Sequence, residues 1–183
     1  PNSYQKKYNR FFQDLGVDIV IGSHPHVIQP MEYSKKNNQE FLTVFSLGNF
    51  VSNQRAERKD GGAMLRLSFK KTNNNLLISR KEYIPVWVHK FIEKEKYHFQ
   101  ILPCARPIYN EKYFSNIEDF KKMKTFLDNT RNHLNTNNLA IEEGVPYGLV
   151  RFKPITIKQG QGPELRSLAI EQIKTKKRKR RRK

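Results

Sequence analysis

A helix-length amphipathic stretch that runs straight into a short β-branched segment restricts this chain more than any other feature. Tyr4, Tyr8, Phe11, Phe12 and Leu15 recur at near-helical spacing with Lys and Arg between them, which predicts a helix over residues 3–15 closed by Gly16. Directly after it, Val17, Ile19, Val20 and Ile21 form an apolar run bounded by Gly22, the pattern of a buried strand. Helix, tight turn and buried strand in succession belong to α/β layers. The fold class expected is therefore α/β.

Further strands follow. Residues 41–47 (FLTVFSL) read as a second buried strand, closed by Gly48 and Asn49. Asp60, Gly61 and Gly62 read as a turn. Leu65, Leu67 and Phe69 then alternate with Arg66, Ser68 and Lys70, a strand with one wet face. After the turn at Asn73, residues 76–89 read as a long strand interrupted at Pro85. These later strands are expected to be antiparallel. Beyond Pro103, Ser115 and Glu118 have the spacing of a capping box, introducing a helix marked by Ile117, Phe120, Met123, Leu127 and Leu134. A loop over residues 135–138, a strand over 149–157 and a short helix carrying Leu165, Leu168, Ala169 and Ile173 complete the reading. The organisation expected is one unit over residues 1–105, a helix-and-strand appendage over 106–173, and a basic tail over 174–183.

Length and composition narrow the classes. A chain of 183 residues suits about one domain. The single cysteine, Cys104, cannot close an intrachain disulfide, and no apolar run approaches the roughly 18–20 residues that span a membrane. Lys and Arg number 35 against 17 Asp and Glu, a net charge of +18. Nine of the last ten residues are basic, so half of that excess is the tail. Such a run cannot bury apolar surface and is expected to stay unfolded. It reads as a solvated terminus, as an attractor of anionic polymer or membrane surface, or as a nucleic-acid patch. No RNA-binding motif or aromatic platform accompanies it, so no specific nucleic-acid partner is expected. The chain opens on Pro1 rather than Met, and a helix begins almost at once, so it reads as a piece of a longer protein.

The chemistry concentrates in Gly22-Ser23-His24-Pro25-His26-Val27 at the end of the first buried strand. Ligands of α/β sheets collect beyond the carboxyl ends of strands. Two histidines at i and i+2 on extended backbone would point to the same side, and Pro25 biases His24 toward extended geometry. Neutral imidazoles suit Zn, Fe or Ni, and Mn where carboxylates share the site. Two readings stand: loop histidines bonded to backbone or water, or two ligands of a metal site. His89, His98 and His133 are scattered and read as structural or surface residues, and Cys104 as a small buried hydrophobe.

The blocks GVDIVIGSHPHVIQPMEY and FLTVFSLGNFVSNQ resemble the C-terminal half of the bacterial capsule-synthesis (CapA, poly-γ-glutamate synthesis) family, over roughly residues 1–90. That resemblance implies the C-terminal portion of a calcineurin-like metallophosphoesterase α/β sandwich. His24 and His26 then correspond to the late H-x-H, which binds divalent metal (Mn, Zn or Fe) or faces the scissile phosphate. Gly22 would let the chain turn at the strand end. Glu32, Gly48 and Asn49 would shape loops and supply supporting hydrogen bonds, with Asn49 also readable as a cap or left-handed turn residue. The acidic, Asn-His and His-Trp-Gly blocks of that pattern are absent; the lone tryptophan, Trp87, lies in a strand pattern. The chain alone is expected to be inactive. The parent is expected at the bacterial envelope, anchored through a preceding segment, acting on an anionic polymer or phosphoester alongside other capsule-synthesis proteins. Its rivals are a non-catalytic polymer-assembly component and a polyanion binder working through the tail.

Overall fold

A computed structural model describes residues 1–36, 39–73, 75–104 and 109–146, with the backbone of a strand over 155–157. Helix α1 (Ser3–Asp14) starts at Asn2, whose side chain and that of Gln5 cap each other's backbone N–H groups. Gly16 takes φ +81°, the left-handed position that releases the chain from the helix. Strand β1 (Ile19–Ile21) follows and lies parallel to β3 (Gln39–Val44), which pairs antiparallel with β2 (Met31–Lys36).

The aromatic stripe of α1 does not face the sheet. Tyr4, Tyr8, Phe11 and Leu15 are each more than half exposed. The docked face is polar: Thr43 Oγ1 donates to Asn9 Oδ1 at 2.9 Å, and Gln5 Nε2 donates to Gln29 Oε1 at 2.7 Å. Hydrogen bonds in a partly buried seam, rather than apolar burial, fix this helix on the layer.

The second sheet is built from β4 (Gly61–Thr72), β5 (Asn75–Glu93) and β6 (Lys96–Pro103), all antiparallel. Gly61 and Gly62 open β4 instead of forming a turn, because β4 passes too close to its neighbours for side chains there. A Cβ on Gly61 would lie 2.5 Å from the Val86 carbonyl oxygen, and one on Gly62 would lie 2.5 Å from that of Leu47. Strand β5 runs unbroken through Pro85. The Pro85 carbonyl accepts from Cys104 N on the β6 side, so its missing N–H would have pointed to that same side. Paired strand with β6 begins at Val86, so Pro85 lies at the end of that ladder, where a missing N–H is tolerated. The β5–β6 hairpin, absent from the sequence reading, turns through Lys94 (φ +49°) and Glu95 (φ +60°). Neither residue is a usual left-handed one, which hid the turn.

Helix α2 (Ile117–Thr136) is capped by Asn116, whose side chain accepts from Glu118 N at 2.9 Å, one residue later than the Ser115 box suggested. It takes in the first half of the stretch read as an Asn-rich loop, ending at Thr136 with Asn137 as its C-cap. Strand β7 (Asn138–Leu139) then adds parallel to β2, β8 (Glu142–Glu143) parallel to β5 at Glu82 and Tyr83, and β9 (Ile155–Ile157) antiparallel to β6. The first sheet is ordered β1-β3-β2-β7 and the second β4-β5-β6-β9. The helix expected after residue 160 and the basic tail lie outside the described residues.

One core cluster joins the sheets through Met31, Leu42 and Val44 from the first and Ala63, Ile78 and Tyr83 from the second, closed by Leu134 and Ile141. Another seats α2 through Met123 and Phe126 on Trp87, Leu102, Cys104 and Phe114. Residues after 105 thus contribute to these two clusters and to both sheets. The architecture is mixed α/β, compatible with part of a metallophosphoesterase-like sandwich. No helix among the described residues is long and apolar enough to cross a membrane.

Candidate functional site

The site grows from the end of β1. Gly22 N donates to Val44 O at 2.8 Å and Leu47 N to Gly22 O at 2.9 Å, so the backbone is pinned on both sides. Gly22 is absent from the residues with positive φ. Its glycine is required by proximity, since a Cβ there would lie 2.3 Å from Phe45 O. The sharp-turn role expected of it is replaced by close packing. The turn comes just afterwards, where His26 N donates to Ser23 O at 3.1 Å and His26 adopts φ +60°.

His24 and His26 therefore do not follow the two-residue period of extended backbone. The turn nonetheless keeps both exposed imidazoles together, ring centroids 6.0 Å apart and planes tilted by 48°. His24 also borders a cleft of about 300 Å³ between α1 and the end of β1, where Tyr8, Phe12 and Phe45 face it.

Asn49 is the hub of the arrangement and is 6% exposed. Its Nδ2 donates to Gln54 Oε1 at 2.9 Å and to the Lys59 carbonyl at 2.8 Å. Both amide protons are thereby used, and Oδ1 is left facing His26 Nδ1 at 2.8 Å. An acceptor at that distance requires a proton on Nδ1. In its neutral form His26 thus presents Nε2 as the lone-pair nitrogen, the one able to bind a metal or accept a proton. Gly48 brings the hub into place: it takes φ +73°, and a Cβ there would lie 3.0 Å from Gly61 O and from Gly62 Cα. Asn49 N in turn donates to Gly61 O at 3.0 Å. The loop after β3 and the start of β4 are clasped backbone to backbone, and the histidine turn leans on that clasp.

Glu32 lies at the same end of the sheet, on β2 opposite Thr43, but is exposed and makes no hydrogen bond with His24, His26 or Asn49. Among the described residues no group of three or more His, Cys, Asp or Glu could hold a metal ion. Two imidazoles are a partial donor set, and the described residues do not complete a metal centre.

Gln54, the Lys59 carbonyl and the Gly61-Gly62 pair escaped the sequence reading. Adjacent glycines entering a strand pattern signal close backbone approach as well as a turn, and that was the available clue.

The remaining histidines have other surroundings. His89, 6% exposed, stacks on Trp87 with centroids 5.6 Å apart, and its Nε2 lies 3.2 Å from Asp119 Oδ2. Burial pushes its pKa down; Asp119 pulls the other way, and nearby Arg55 adds to the depression. His133 is also lowered, by burial, then by Arg58 and the amino group of Pro1. A histidine whose folded pKa lies below its unfolded value binds its proton preferentially in the unfolded chain. Stability is then full above the unfolded value of about 6.5 and falls as pH drops below it. The Tm is expected to be about 2–4 °C lower at pH 5 than at pH 7. That interval stays above the range where Glu40, whose pKa is lowered, would add its own loss. The drop should shrink in H89Q and H133Q; a parallel decline in both variants would contradict the assignment.

A short strand of an α/β layer that ends in a paired-histidine turn, braced from behind by a buried asparagine, lies at the carboxyl edge of its sheet, where α/β folds collect ligands. Residues 1–54, which hold that whole arrangement, match the family model described as bacterial capsule synthesis protein PGA_cap. The PGA biosynthesis protein CapA of Bacillus subtilis (strain 168) is 33% identical over 90 residues, 49% of this chain and 22% of the relative. The capsule biosynthesis protein CapA of Bacillus anthracis is 27% identical over 105 residues, 55% of this chain and 25% of the relative. The match thus spans about a quarter of each relative's length. No solved structure matches the chain at a significant level.

Proposed function

We propose that this chain is part of a protein that makes or exports an anionic capsular polymer, poly-γ-glutamate or a related polyanion, at the bacterial envelope. The reading is carried by one observation: the family match over residues 1–54 encloses both the His24–His26 turn and Asn49, whose side chain orients it. In this reading His24 and His26 present ring nitrogens to a phosphoester or to a divalent metal (Mn, Zn or Fe) whose other ligands come from outside these residues. Bound there, such an ion would polarise a phosphoryl oxygen and lower the pKa of a water. The chain's own part is to hold His26 as the Nδ1-protonated tautomer and to keep His24 beside it. Gly48 and Asn49 act as positioning residues, while Glu32 contributes to the sheet.

A second reading follows from the absence of a third ligand among the described residues: a non-catalytic assembly component that retains the fold. The test replaces both histidines by alanine in the gene product that carries this chain and measures extracellular polymer. Polymer is expected to fall below about a hundredth of normal, the scale of losing an essential acid–base or ligand pair, with protein level and circular dichroism unchanged. Normal polymer from the double variant overturns the chemical role and leaves the assembly reading.

A further inference from the structure

A second recess opens behind the histidine turn, where the loop before β4 meets α2. Arg58, Asn129, Thr130 and His133 supply its polar lining, and Phe126 and Ile28, the latter two residues beyond His26, its apolar walls. The recess itself is narrow, about 20 Å³, room for an oxygen-sized group. It opens beside a wider cleft of about 330 Å³ that shares Arg58 and Asn129 and adds Arg55, Lys121 and Lys122 among the carboxylates of Glu57, Asp60 and Glu118, the last of which pairs with Lys121 at 2.7 Å.

Three observations set this recess apart from an ordinary charged surface. His133 Nε2 is buried and finds no hydrogen-bond partner among the described residues. A buried ring nitrogen without a partner is costly, and such exceptions call for a ligand or a role. Arg58 is held at φ +63°, a left-handed conformation unusual for a long side chain. Its ion pair is the 3.7 Å contact with the exposed neighbour Glu57. The third observation is like-charge crowding, since the Arg58 charge disfavours protonation of His133. Two groups that repel each other across a recess become complementary once an anion lies between them.

We infer that this recess is an oxyanion subsite, in which Arg58 and His133 together receive a carboxylate or phosphate oxygen. The subsite is mechanically tied to the histidine turn. Lys59, next to Arg58, offers its carbonyl to Asn49, which holds His26. A polyanion running along Lys121 and Lys122 would enter the recess with one acidic group while a neighbouring group approached the histidines. Naming the ligand as a capsular polycarboxylate rests on the capsule reading above; the oxyanion chemistry does not.

The test follows the His133 ring by NMR in the whole chain, assigned by its disappearance in H133Q, during titrations with poly-γ-glutamate and with inorganic phosphate. This reporter is local, so binding by the basic run at the C-terminus does not register. A bound oxyanion is expected to raise the His133 titration midpoint by about half a unit or more. In R58G the response should weaken by about fivefold or more, because a charge-assisted partner is gone. Glycine also suits the left-handed backbone at position 58, so the variant should fold. A response to poly-γ-glutamate assigns the subsite to a carboxylate polymer, and a response to phosphate alone assigns it to a phosphoester. A midpoint unmoved by either anion, or moved equally in R58G, overturns the subsite. If polymer is still lost in the His24/His26 double variant, that result leaves the capsule reading standing. Normal polymer there with a responding His133 would do the reverse.

Discussion

Replacing Trp87 by alanine is expected to cost about 3–5 kcal/mol of folding stability, the range for emptying a buried aromatic site. Trp87 is 2% exposed and lies at the centre of the cluster that seats α2 on the second sheet. Its ring stacks on His89 and meets the edge of Phe114. Its Nε1–H donates to Asp60 Oδ2 at 2.6 Å, so truncation opens a cavity and also removes a carboxylate's donor. W87F keeps most of the ring volume and loses the donor, and should cost about 1–2 kcal/mol. Urea denaturation of the two variants separates the terms. A cost below about 1 kcal/mol for W87A would mean that α2 does not depend on this cluster for its seat. The result bears on function because α2 carries Asn129, Thr130 and His133, one wall of the oxyanion recess.

The first layer of the fold was legible because its signals are local and agree with one another. A helical period, a glycine and a β-branched run leave one arrangement, and α1 and β1 formed where the pattern placed them. The closeness of the two histidines was legible too, although a turn rather than extended backbone brings them together. What the local pattern could not convey was the partner of each residue. Pro85 looks like a strand breaker until β6 is known to begin one residue later. Gly61 and Gly62 look like a turn until Leu47 and Val86 are known to crowd them. The α1 stripe looks like a buried face, yet Asn9 and Gln5 make the contact with the sheet. Asn49 was legible as a motif residue, but its position against His26 comes from a loop clasped to a strand start more than ten residues later. Lys94 and Glu95 gave no turn signal, and the hairpin they form was missed with β6.

Replacing Asn49 by alanine is expected to damage both stability and the site, and the two effects can be measured apart. The substitution strips the Lys59 carbonyl and Gln54 of their shared donor and leaves His26 Nδ1 without its acceptor. A buried polar group deprived of its partner costs about 1–3 kcal/mol, so a loss of about 2 kcal/mol is expected in chemical denaturation. The effect on the site runs through the proton. With Asn49 present, the His26 proton is held on Nδ1 and Nε2 is available; with alanine, nothing on the protein side favours that tautomer. Removing a residue that orients a ligand-binding histidine commonly weakens binding about 10–100-fold. The ring nitrogen shifts of His26 should therefore show protonated Nδ1 in the native chain and lose that preference in N49A. N49D separates the roles further: its carboxylate still accepts from His26 but cannot donate to the Lys59 carbonyl, so the tautomer should survive while stability falls. If native His26 instead carries its proton on Nε2, Asn49 does not prepare the ring for a ligand. The clasp between Gly48-Asn49 and Gly61-Gly62 would then serve the fold alone, because the nitrogen facing outward would be a donor rather than a lone pair.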